Sequence, residues 1–130
     1  MGQSAEKKDH EVEMNRVGIK AFIRICNFWQ LDDKIAAELI DVETPIWSQI
    51  KSGNWTETLT DDQMMRVSAL IGIYKGLHER FGEELANRWP TLPNNSKPFM
   101  GKSPVDYMTN GGFFKALEAR DYVDNIRNGM

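Results

Sequence analysis

An all-α fold is predicted for this 130-residue chain by three observations. Apolar residues recur at three-, four- and seven-residue steps over long stretches. Those stretches open on capping side chains and close on proline, glycine or asparagine. Nowhere does the period-two alternation of a strand persist.

Residues 1–11, MGQSAEKKDHE, mix charges with almost no apolar side chains and read as a disordered lead-in. From Val12 the spacing of Ile19, Phe22, Ile23, Cys26 and Trp29 predicts the first helix, with Gly18 its one weak position. Asp32 or Asp33 suits the N-cap of a short second helix whose apolar stripe is Ile35, Ala36, Leu39 and Ile40. Thr44 followed by Pro45 predicts a third helix over 45–51, the threonine capping and the proline at the first helical position. Thr60 and Gln63 have the spacing of a capping box, with Asp61 and Asp62 set against the helix dipole. The longest helix follows, carrying Met64, Val67, Leu70, Ile71, Tyr74, Leu77 and Phe81. A shorter helix over 83–89 stops at Pro90, and PTLPNNSKP is loop. Ser103, Pro104 and Asp106 start a two-turn helix that Asn110-Gly111 ends. The last helix is expected over 113–128, with Ala116, Ala119, Val123 and Ile126 inward and Arg120, Asp124 and Arg127 on the opposite face.

Composition narrows the function classes. One cysteine, Cys26, sits among apolar residues and reads as a packed thiol, and His10 and His78 lack the spacing of a metal pair. With no nucleophile–base pair, phosphate loop or metal cluster, neither an enzyme nor a cofactor or metal protein is expected. No run approaches the roughly 18 apolar residues of a membrane span, and the N-terminus has no apolar signal core, so a cytoplasmic protein without membrane contact is expected.

Residues Ile35–Gly53, IAAELIDVETPIWSQIKSG, have the spacing of a helix-turn-helix. Ala37 permits close crossing, Asp41 takes the turn position where such motifs often carry glycine, and Val42, Ile46 and Ile50 anchor the pair. On this reading Thr44, Ser48, Gln49 and Lys51 face DNA, with Gln49 placed to read an adenine edge. The same pair also fits a packing or dimerisation element with Trp47 as interface anchor. Acidity favours that alternative, because between Gln30 and Thr60 six acids stand against two bases and phosphate contacts dominate DNA affinity. A basic surface would then come from Arg16, Lys20, Arg24 and a second copy. Trp47, Phe28 and Trp29 offer more aromatic surface than a small domain is expected to bury alone, which predicts a homodimer.

The stretches LTDDQMMRVSALIGIYKGLHERF and RWPTLPNNSKPFMGKSPVDYMTNGGFFKALEARDYVDNIRNG resemble the Xre/MbcA/ParS-like antitoxin family of bacterial toxin–antitoxin systems. The resemblance is carried by Phe99, Gly101, Ser103 and Pro104, the paired glycines, and a terminal helix with arginine and a penultimate glycine. It implies an Xre-like helix-turn-helix region over 12–58 sharing a core with a toxin-binding helical domain over 59–130. It further implies that the chain neutralises a RES-domain, NAD-consuming toxin, or a related ADP-ribosyltransferase, by occluding the active site, and that it regulates its own operon through operator DNA. Toxin contact would then fall to Gly101, Ser103, Pro104, Arg120, Asp124, Arg127, Asn128 and Gly129. A dimeric transcriptional regulator without a toxin is the alternative.

Overall fold

A computed structural model describes the backbone from Gly2 to Arg127 and the side chains from Lys8 to Ile126. Within those residues the chain is all-helical: α1 (Gly2–Phe28), α2 (Asp33–Leu39), α3 (Thr44–Ser52), α4 (Asp61–Arg80), α5 (Glu83–Arg88), a 3-10 turn (Trp89–Thr91), α6 (Pro104–Thr109) and α7 (Gly112–Arg127). None of the helices is long and apolar enough to cross a membrane.

Helix α1 begins ten residues before the apolar stripe, so residues 2–11 are helical where composition suggested a disordered lead-in. The reason is propagation. Ala5, Glu6, Lys7, Lys8 and Glu11 are good helix formers, no proline interrupts them, and extending a formed helix avoids the cost of nucleation. Phe22, Ile25, Cys26 and Trp29 at its C-terminal end enter the core, whereas Val12 stays outside.

The start signals behave as their chemistry requires, with one exception. The Asp32 carboxylate accepts from the Ile35 N–H at 2.8 Å, and the Ser103 hydroxyl accepts from the Asp106 N–H at 3.1 Å. The capping box at α4 is complete: Gln63 N–H donates to Thr60 Oγ1 at 3.1 Å, and Thr60 N–H donates to Gln63 Oε1 at 2.8 Å. The Gln63 side chain also donates, from Nε2 to the Asp41 carbonyl at 2.8 Å, tying the α2–α3 turn to the start of α4. At α3 the expected cap is displaced by one residue. Glu43 occupies the N-cap without a side-chain hydrogen bond, and Thr44 is already helical.

Helix α4 is the axis of the fold, packed on α1, α7 and α5. A Cβ on Gly72 would lie 2.6 Å from the Arg120 guanidinium carbon, and one on Gly76 would lie 2.7 Å from Val123 Cγ1. These glycines, one turn apart, let α7 lie directly on α4, and because both contacts advance in the same sense the two helices run parallel. Buried residues from Phe22 to Val123 form one continuous core, so the two halves share it, and α2 reaches α6 across the boundary.

Candidate partner-binding surface

The short helix α6 is part of a corner built by the residues before it. The loop ends close on each other: Asn94 N–H donates to the Lys102 carbonyl at 3.1 Å, and Gly101 N–H donates to the Asn94 carbonyl at 2.8 Å. To make that closure Met100 and Gly101 both take left-handed backbone angles, φ 53° and φ 98°. Glycine does so without strain, and methionine does so at a cost of about 1 kcal/mol. Between the closure and α6, Phe99 is buried with its ring edge-on to Trp89, Tyr107 and Tyr122 at centroid distances of 5.8, 5.5 and 5.2 Å. One ring thus joins the 3-10 turn, α6 and α7. A second link is the Tyr107 hydroxyl, which donates to Glu118 Oε1 at 2.6 Å; that carboxylate pushes the phenol up to about 12.

The residues expected at the toxin contact separate into three groups. Gly101 is exposed at the corner, and Arg120 and Asp124 are half-exposed on α7, their charged atoms 4.0 Å apart. Ser103 and Pro104 are buried. They shape the corner from inside and do not line its surface, because the Ser103 hydroxyl is spent on capping and Pro104 is buried at the first position of α6. The Arg127 side chain, Asn128 and Gly129 lie outside the described residues. Arg120 is also less outward than helical spacing suggested, since its guanidinium lies over Gly72. Two residues not anticipated stand out on the same half: Met100 is 68% exposed and Phe114 72% exposed. They are the most exposed large apolar side chains among the described residues. Met100 could have been suspected from its place beside Gly101. Phe114 could not, since its helix position alone does not say which face the corner leaves open.

In the α2–α3 pair, Asp41 has the left-handed backbone expected of the turn, φ 58°, and Ala37 and Ile50 are buried. Thr44, Ser48, Gln49 and Lys51 are all exposed, with Glu38, Asp41 and Glu43 exposed around them. Lys51 Nζ is bonded to Asp33 Oδ1 at 2.8 Å, and Arg16 to Glu13 at 2.6 Å, so two expected phosphate partners already have carboxylates. The aromatic argument for a homodimer does not hold. Trp29 and Trp47 are 2% and 1% exposed, and Phe28 alone of the three stays on the surface, stacked on Tyr74. Trp47 is a core residue because Phe22 packs edge-on to it at 5.4 Å and its indole N–H finds Asp33 Oδ1 at 3.0 Å.

Asp33 therefore accepts from both Lys51 and Trp47, and these bonds, Lys51 first, hold its carboxyl below the usual carboxylate range. A group with a depressed folded pKa stabilises the fold above its unfolded value, near 3.9, and that contribution is lost as pH falls through the folded value. Asp33→Ala should accordingly lower Tm at neutral pH, with the gap to the parent protein closing as the solution is acidified; Asp33→Asn, which keeps an acceptor for Trp47, should lose less. Thermal melts from neutral pH downward check both, and a gap independent of pH would show that the carboxylate charge is immaterial.

Among the described residues no group of three or more histidine, cysteine and acidic side chains could hold a metal ion. Cys26 is buried, and burial pushes its thiol up to about 12, so at neutral pH it is no nucleophile. No protein-family model, curated protein or solved structure matches this chain.

Proposed function

We propose that this protein is the antitoxin of a bacterial type II toxin–antitoxin pair, binding an NAD-consuming RES-domain toxin and occluding its active site. The observation that carries this reading is the corner over 94–104, a braced loop with strained backbone at Met100 and a large apolar side chain held out to solvent. Strain of that kind persists where the surroundings over-determine it, and it concentrates at sites that meet a ligand or partner. The segment is also the one whose residues carry the resemblance to the Xre/MbcA/ParS-like antitoxins. Occlusion asks for affinity and no chemistry, and Met100 and Phe114, exposed, with Arg120, half-exposed, are the side chains offered for it. Arg120 supplies a planar fork that pairs with carboxylates in a dinucleotide cleft.

The test is co-expression with the product of the adjacent gene, followed by pull-down and an assay of NAD consumption. Met100→Ser should weaken the complex while leaving Tm nearly unchanged, since Met100 is exposed. Arg120→Ala should cost on the order of 2 kcal/mol of binding, roughly thirty-fold in affinity, because desolvated interface arginines are frequent hot spots. Its Tm must be measured alongside, as the guanidinium also covers Gly72. If the adjacent product is neither bound nor silenced, the antitoxin reading falls. If it is bound and both variants bind like the parent, the contact lies on another face.

Operator binding is the second reading, favoured by the left-handed Asp41 turn that joins α2 to α3. It would serve autoregulation of the operon, or, where no toxin gene adjoins, a regulator acting alone as a homodimer. The surrounding acids make such binding weak and steeply salt-dependent. A gel shift with the upstream promoter region at low salt tests it, with Gln49→Ala expected to relax base preference more than overall affinity.

A further inference from the structure

Helix α1 carries a second apolar stripe besides the one it turns to the core. Asn15, Gly18, Phe22, Ile25 and Cys26 are buried on one side. Along another run Met14, Val17, Ala21 and Phe28, with Arg24 at the intervening step, the alternating three- and four-residue spacing of a two-helix seam. Met14 and Val17 are each 54% exposed and Phe28 39%. Helix α4 lies beside α1 and runs in the same direction, since Gly18 approaches Met64 and Val67 while Phe28 stacks on Tyr74 further along. A groove opens at each end of this pair. One holds Glu11 and Asp61, with Lys8, around Met14 and Met64. The other, about 320 Å³, lies between Ala21, Phe28, Ile71 and Tyr74 and holds Arg24 and Lys75 without an acid.

Charge is thus sorted the same way on both helices. Asp9, Glu11 and Asp61 stand near the starts, Arg24 and Lys75 toward the ends, all exposed and none in an ion pair among the described residues. Asp9 to Arg24 spans about 22 Å of helix, and Asp61 to Lys75 about 21 Å. From the exposed seam and this matched sorting we infer that the α1–α4 face binds a second copy of the chain, about a twofold axis passing between Val17 and Ala21, with the two α1 helices antiparallel. Half a turn about that axis lays each acidic end on the other copy's basic end, so a single patch is its own complement. Met14 of the second copy then lies level with Arg24 and enters the groove between Ala21 and Phe28, which a flexible thioether can fill. Glu13 of that copy, one residue earlier, meets the Arg24 guanidinium; its exposed pairing with Arg16 leaves acceptor positions for a second cation. Lys20 stands near its own equivalent at the axis and opposes the pairing. The interface uses no residue of α3 or of the corner over 94–104, so the dimer presents two of each.

Sedimentation equilibrium of the full chain over a range of concentrations tests the inference. A reversible monomer–dimer equilibrium is expected, and Met14→Ser should weaken it. Arg24→Glu and Glu13→Arg should each weaken it by about tenfold or more, because each puts two like-charge contacts into the symmetric interface. Combined in one chain, E13R/R24E should restore association to near the parent's. Positions 13 and 24 are about 16 Å apart along one helix, too far to couple within a chain, so the rescue reports a contact between copies. Lys20→Gln should tighten the dimer, and Lys34→Glu, on α2, should leave it unchanged. Circular dichroism of every variant separates lost association from lost fold. The inference is overturned by a monomer at all concentrations, which leaves the seam to a different partner or to none. It is overturned equally if E13R/R24E associates no better than the single variants, or if Lys34→Glu acts as strongly as Arg24→Glu.

Discussion

Phe99→Ala should destabilise the protein by about 3–5 kcal/mol, the range for truncating a fully buried aromatic side chain. Phe99 is 1% exposed, and three rings meet its own, from the 3-10 turn, α6 and α7. Removing it opens a cavity that the neighbours cannot close, because Trp89 and Tyr122 are already stacked on each other at 5.9 Å and Tyr107 is tethered to Glu118. The loss should be visible as a lower denaturation midpoint with an unchanged slope. Partner affinity should fall as well, since Met100 and Gly101 follow Phe99 directly and depend on it for their angle. Phe99→Leu, which refills part of the volume, should recover much of the stability. A loss below about 1 kcal/mol for Phe99→Ala would mean that the loop closure through Asn94 holds the corner by itself and the aromatic cluster is incidental.

What could be read from the sequence was what local chemistry decides. Thr60 with Gln63, and Ser103, each act on a backbone N–H three residues away, so the sequence interval alone identifies them, whereas for α2 it leaves Asp32 and Asp33 as alternatives and the structure shows Asp32. Thr44 was misplaced by one position because nothing local distinguishes a threonine cap from a threonine at the first helical residue when proline follows. The burial of Trp47, for which the sequence offers an interface anchor as one alternative, is hidden for a different reason: its partners, Asp33 and Phe22, lie 14 and 25 residues away, and no periodicity in α3 points to them. The corner shows both sides. Its cap and its Gly101 were legible, whereas the burial of Ser103 and Pro104 and the exposure of Phe114 depend on how α7 returns to α4. That return is itself hidden from periodicity, because Gly72 and Gly76, the surface on which α7 rests, lie outside the apolar stripe of α4.

The same close approach sets the second large effect. Gly76→Val should cost about 3 kcal/mol, the upper part of the usual range for overpacking. The reasoning starts from the added Cβ, which would sit 2.7 Å from Val123 Cγ1. Val123 is 1% exposed and β-branched, so its rotamer is fixed and the methyl has no free direction in which to move. Relief therefore requires α7 to shift as a body, and α7 carries Ala116, Ala119 and Tyr122 into the shared core. Helix propensity pulls the other way, since replacing a mid-helix glycine with alanine gains up to about 1 kcal/mol. Gly76→Ala consequently has a smaller net loss than Gly76→Val, and the comparison separates crowding from propensity. The decisive measurement is a double-mutant cycle. Val123→Ala alone should destabilise by opening space, but combined with Gly76→Ala it should cost less than the sum of the two, with a coupling of about 1–2 kcal/mol. At Gly72 the crowding atoms belong to the flexible Arg120 side chain, which can swing away, so Gly72→Ala should be near neutral for stability. Purely additive losses at positions 76 and 123 would mean that α4 and α7 do not touch there, and that the corner which α7 supports must be held to the core by other means.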